Sequence, residues 1–120
     1  MAASKEVIAL TQRAAEVIAE KLGVDIVALD MTDQMLLSEV FLICTAQNER
    51  AIDAIADSVF DALAEIGEKP VRKEGTGEWV LLDYSDLVVH IQSESLRGYY
   101  MLDRLWNDCQ RIPLNISEAR

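Results

Sequence analysis

Apolar side chains at Val7, Leu10, Ala14, Val17, Ile18 and Leu22 recur every three or four residues, the spacing of one helix face. They predict a helix over 4–22 that Ser4 caps and Gly23 ends. A short β-branched-rich run at 24–31 predicts a strand before the polar break at 32–34. The run at 40–45 is apolar on both faces and predicts a central strand. Asn48 then caps a second helix, whose period through Ala51, Ile52, Ile55, Ala56, Val59, Leu63 and Ile66 lasts up to Gly67. Pro70, Gly75 and Gly77 punctuate the next stretch of chain and leave 69–73 as an edge strand at best. Two strand-like runs, 78–83 and 86–92, form a hairpin signal, and a last helix capped by Ser93 or Ser95 carries Leu96, Tyr99, Tyr100, Leu102, Leu105 and Trp106 before Pro113. The order α-β-β-α-β-β-β-α predicts an α/β single domain with a mixed β-sheet of about five strands and helices on at least one face. The domain spans 1–110, and 111–120 is a tail without strong pattern, ordered only in part.

The hairpin sorts its side chains. Pairing Leu82 with Leu87, Leu81 with Val88, Val80 with Val89 and Trp79 with His90 puts Val80, Leu82, Leu87, Val89 and Ile91 on one apolar face, fit for helix cover. Trp79, Leu81, Val88 and His90 share the other face, flanked by Asp83 and Asp86. With helices on one side only, this second face is an exposed apolar patch, and such patches mark interaction sites. The competing reading makes Trp79 and His90 a packed cross-strand pair under a helix, with the histidine bonded to a backbone carbonyl. Trp106, at helical spacing with Tyr99, Leu102 and Leu105, is expected in the core.

Charge narrows the partner. Eleven Lys and Arg against 21 Asp and Glu give a formal −10 over 120 residues, which disfavours a direct grip on nucleic-acid phosphates and favours a basic protein surface. From Glu74 to Leu96 there are five acids, Glu74, Glu78, Asp83, Asp86 and Glu94, and no Lys or Arg. The two cysteines, Cys44 and Cys109, have no metal-ligand spacing and read as reduced and structural. No segment approaches the roughly twenty apolar residues of a membrane span, so a cytoplasmic protein is expected.

Catalysis has little to build on. His90 is the only histidine, no nucleophile-elbow serine occurs, and Gly75 and Gly77 lack the rest of a phosphate-binding loop. Asp83 and Asp86 could hold a magnesium ion, although turn chemistry at a hairpin end explains them as well. A divergent nucleotide-handling enzyme is the alternative to a binding module, because one fold hosts many chemistries. The expectation is no enzyme, no cofactor and no metal.

The residues Glu74, Gly75, Trp79, Val80, Leu81, Leu82 and Asp83, followed by Asp86 to His90, Arg97, Tyr100, Leu105 and Trp106, form a long ordered pattern. It resembles the ribosomal silencing factors of the Iojap type, from the first helix to about Cys109. Ile43, Cys44, Thr45, Arg50 and the run Ala54 to Asp57 fit the family too, while Ser38 and Glu39 stand where it has Thr and Asp, and Ala46, Gln47 and Asn48 replace its Gly, Thr and Ser. The resemblance implies a nucleotidyltransferase-like fold without catalytic carboxylates. It also implies binding to the large ribosomal subunit through ribosomal protein L-fourteen and steric exclusion of the small subunit, lowering translation when nutrients are scarce. Carried over by position, the contact surface involves the sheet and Trp79, with Asp83, Asp86 and His90 nearby. Family members also self-associate, so a homodimer could use the same stripe.

Overall fold

Ser4 Oγ accepts the Val7 amide at 3.3 Å and starts α1 (Lys5–Glu20) in this computed structural model, which describes residues 2–34 and 38–118. The helix stops because Leu22 turns left-handed and the Gly23 amide folds back onto Ile18 O at 2.8 Å. Gly23 itself is required for close approach, since a Cβ there would collide with Ile18 Cγ2. In α2 (Glu49–Glu65), Asn48 Oδ1 accepts the Ala51 amide at 2.8 Å. The amides of Gly67 and Glu68 close the other end on Ala64 O and Leu63 O, a Schellman arrangement that needs the positive φ at Gly67.

Five strands, β1 (Val24–Asp30), β2 (Val40–Ala46), β3 (Arg72–Glu74), β4 (Trp79–Asp83) and β5 (Leu87–Ser93), lie in the order β1-β2-β5-β4-β3. β2 and β5 run parallel and the other pairs antiparallel, so the sheet is mixed. Helices α1 and α2 cover one face. There Val40, Leu42, Leu82, Leu87, Val89 and Ile91 meet Ile18, Ile52, Ile55, Val59 and Leu63 in the main core. β5 sits mid-sheet and is buried along its whole length.

The hairpin register differs from the expected one by two residues. Leu81 opposes His90, Trp79 opposes Gln92, and the Tyr84 amide pairs with Leu87 O, leaving a two-residue turn at Ser85 and Asp86. Ser85 takes the positive φ this tight turn requires, and its amide is held by Asp83 Oδ1 at 2.8 Å. A shift of two preserves the sorting of faces, because side chains alternate with period two. The edge strand lies at 72–74, slightly later than the 69–73 run.

The last helix is two pieces, α3 (Glu94–Tyr100) and α4 (Leu102–Leu105), broken where Met101 adopts φ 49°, ψ 51°. The break carries Tyr99 and Leu105 out to solvent and leaves Trp106 half-buried. With Leu102, Val27 and Phe41, Trp106 packs on a small second cluster of Leu29, Met31, Ile43 and Cys109 on the far face of the sheet. The tail is docked rather than loose through residue 118. It runs antiparallel to β1 at Leu29 and Arg111, packs Ile112, Leu114 and Ile116 on the core, and ties Asn115 to Gln12. Tail positions 119 and 120 lie outside the described residues. No described helix is long and apolar enough to cross a membrane.

Candidate functional site

The second sheet face is covered at its β1 and β2 end and open toward β4. Pleating puts Trp79, Leu81 and Asp83 of β4 on this side with Val88 and His90 of β5 and, through the parallel ladder, Phe41 of β2. Trp79, Leu81 and Phe41 are half-buried, whereas Val88 and His90 are buried. The face is therefore not bare throughout, as the hairpin alone suggested, because Phe41 of β2 and the Trp79 indole lie against the His90 ring at its centre. Tyr100 of α3 leans on the indole with ring centroids 4.9 Å apart, and the phenol remains 48% exposed, so Trp79 is flanked rather than sealed.

Between these residues and the β3 edge lies a concavity of about 520 Å³ lined by Phe41, Val71, Leu81, Asp83, Val88 and His90, with Arg72, Ser38 and Ser85 at its borders. Its floor combines apolar side chains with one buried imidazole. The Trp79 indole N–H donates to His90 Nδ1 at 3.3 Å, and Phe41 meets the imidazole edge-on with centroids 4.8 Å apart. Burial pushes His90 down to about 4, so it is a neutral ring at neutral pH, bonded to an indole and not to a backbone carbonyl.

The acids are distributed differently from the sequence picture. Asp83 lies on the face, but Arg72 Nε meets its Oδ2 at 3.2 Å while Arg72 Nη1 meets Glu74 at 3.0 Å. The partly neutral rim was invisible because Arg72 lies outside the acidic run and reaches it only through β3 pairing. Asp86 is not on the face: it sits exposed in the turn, and its carbonyl accepts the Glu39 and Val40 amides. Glu78 is held by Ser93 Oγ at 2.9 Å. Phe41, Val71 and Tyr100 complete the surface, and only the strand order or the helix break could have revealed them. Cys44 is fully buried, and burial pushes its thiol up to about 12. Among the described residues, no group of three His, Cys, Asp or Glu is placed to hold a metal ion.

Such a surface, with a large aromatic at one end, an apolar hollow and a charged border, suits a protein contact better than a reaction. The family model "Ribosomal silencing factor during starvation" matches residues 4–120. The ribosomal silencing factor of Bacillus subtilis is 39% identical over 98 residues, covering 80% of this chain and 83% of that one. A crystal structure of a Chromobacterium violaceum protein superposes with a TM-score of 0.79 at 32% identity, covering 93% of this chain and 94% of the other. One from Bacillus halodurans gives 0.75 at 33% identity, covering 92% and 100%.

Proposed function

Since the chain belongs to the family of ribosomal silencing factors, and is therefore a ribosome-associated regulator of translation, we propose that it works by occlusion, docking on the large ribosomal subunit through ribosomal protein L-fourteen and blocking the small subunit. The observation that carries this reading is the concavity lined by half-buried Leu81 and Phe41, with the half-buried Trp79 on the same sheet face and bonded to His90 in its floor. A partner's apolar side chain enters the hollow, the indole packs beside it, and a basic group on the partner takes Asp86 or competes with Arg72 for Asp83. Trp79, Leu81, Asp83, Val88 and His90 act here as one contact surface, with Asp86 at its margin.

The mechanism rests on volume and not on chemistry. A folded body with extents of 36 × 33 × 27 Å, anchored at the face where subunits meet, occupies space that the small subunit needs. No bond is made or broken. The protein acts in the cytoplasm with the ribosomes it regulates. A homodimer through the same surface would compete with docking, because one surface cannot serve both partners at once.

Cosedimentation of the full chain with purified large subunits, at low and high salt, tests the proposal. Comigration with large subunits and loss of subunit joining in a reconstituted mixture are expected. Comigration that leaves joining intact would sink the occlusion mechanism, and absence of comigration at both salts would sink the docking itself.

A further inference from the structure

A second cleft, on the opposite flank of the molecule, holds an anion already. Between Val24 and Val27 the β1 ladder slips, so Asp25 and Ile26 bulge out of their pairing with β2, and Asp25 takes φ 51°. The bulge turns two successive backbone amides outward. Both grip one carboxylate: Asp25 N–H donates to Glu118 Oε1 at 2.8 Å and Ile26 N–H to Glu118 Oε2 at 3.1 Å. Consecutive amides around a positive φ form a concavity for oxyanions, and the tail's own glutamate occupies it.

Three arginines of a strongly acidic chain converge on the same place. Arg97, Arg104 and Arg111 line this cleft of about 520 Å³ together with Asp25, Asp103, Gly98 and Glu118. Arg97 is a built-in guanidinium. Its side chain is only 10% exposed, held by Asp103 at 3.3 Å and Thr45 Oγ1 at 3.0 Å, and two bonds leave N–H donors to spare. Arg104 and Arg111 are exposed beside it. With Glu118 seated, three guanidiniums face three carboxylates; with Glu118 withdrawn, they face two, Asp25 and Asp103.

We propose that the β1 bulge and the three arginines form a binding site for a small phosphate, inorganic or a monoester, with Glu118 as a self-made placeholder that the phosphate displaces. A phosphate reproduces the two amide bonds that the carboxylate makes and adds charge for the guanidiniums, which bind phosphate in forked pairs. The glutamate competes from within the chain at high effective concentration, so it sets the threshold at which free phosphate enters. Displacement frees the end of the tail from β1, while Ile112, Leu114, Ile116 and the bonds between Asn115 and Gln12 keep the rest in place. A polynucleotide is disfavoured because the chain as a whole carries a net charge of −10, which opposes a long run of phosphates.

Inorganic phosphate titrated into the nitrogen-15-labelled full chain, with chloride at matched ionic strength as control, tests this without any ribosome, so the outcome is independent of the docking reading. The Asp25 and Ile26 amide signals are expected to move with phosphate, and Glu118→Ala to bind it about tenfold tighter than the native chain. Arg104→Gln combined with Arg111→Gln, placed in the Glu118→Ala background, is expected to abolish the response. Gly98→Leu gives a second route to the same answer: Gly98 lines the cleft and a Cβ built there meets nothing within 4 Å, so a larger side chain has room at the cleft wall and is expected to weaken phosphate binding. An equal response to chloride, a Glu118→Ala chain that ignores phosphate, or binding indifferent to the arginine pair would overturn the site. Tighter binding of a short single-stranded RNA than of phosphate would overturn the small-anion assignment.

Discussion

The Trp79 indole N–H donates to His90 Nδ1 although the two residues are diagonal and not register partners, His90 standing opposite Leu81 and Trp79 opposite Gln92. The bond fixes the histidine tautomer, leaving the proton on Nε2, which is buried without a partner. It also fixes the indole, so the aromatic anchor of the proposed docking face is held in place before any partner arrives.

Replacing that anchor separates binding from stability. Trp79→Ala is expected to cost about 2–4 kcal/mol in binding to large subunits, the range for a central interface tryptophan, and only about 1–2 kcal/mol in folding because the side chain is half-buried. Sedimentation with large subunits and thermal melting read the two effects. Lost stability with undiminished binding would make Trp79 a core residue.

Arg72 carries a prediction of opposite sign. Its guanidinium neutralises Asp83 across an exposed pair, and such pairs contribute little to folding. Arg72→Ala is expected to leave the melting temperature almost unchanged while tightening the complex with a basic partner about two- to threefold and steepening its salt dependence. Weaker binding would show that Arg72 itself touches the partner.

Local pattern carried most of the fold into view. Helix caps at Ser4, Asn48 and Ser93 and the alternation through β4 and β5 act within a few residues, so they are visible along the chain. What escaped depends on distant pairing. Phe41 joins the face only because β2 lies parallel to β5, and Arg72 reaches Asp83 only through β3. The left-handed Met101 that splits the last helix has no glycine to announce it. The tail has a weak pattern because alternate residues Ile112, Leu114 and Ile116 face the core over a stretch containing Pro113, too short to read as a strand.

Two glycines divide by what their space permits. Gly75 has φ 85°, and a Cβ there would land on Trp79 O, a backbone atom that cannot yield without moving β4. Gly75→Ala is expected to destabilise by about 2–3 kcal/mol and to weaken docking by displacing Trp79. Gly98, helical and with nothing within 4 Å of a Cβ built on it, is expected to gain about 0.5–1 kcal/mol on mutation to Ala. Denaturant titration of both variants checks the contrast, and equal effects would contradict it.

The neutral His90 makes folding sensitive to mild acid. Burial pushes its folded-state value down to about 4 from an ordinary 6.5, so between these limits the unfolded chain binds a proton that the folded chain refuses. Stability is therefore full at pH 7 and falls as the pH drops through this window, by about 2 kcal/mol at pH 5 and about 3 kcal/mol at pH 4. Asp30 and Asp103 do not blur the result. Burial works to raise both carboxyls, but hydrogen bonds from Thr32 and the Ala3 amide to Asp30, and from Arg97 to Asp103, leave them below the usual carboxylate range, so their contribution is lost only in stronger acid. Urea unfolding at pH 7 and pH 5 is expected to show the decrease in the native chain and to lose it in His90→Gln, where nothing remains at this position to take up the proton. A native chain as stable at pH 5 as at pH 7 would mean that His90 accepts its proton in the folded state, and the bond from the indole to Nδ1 would then have to break.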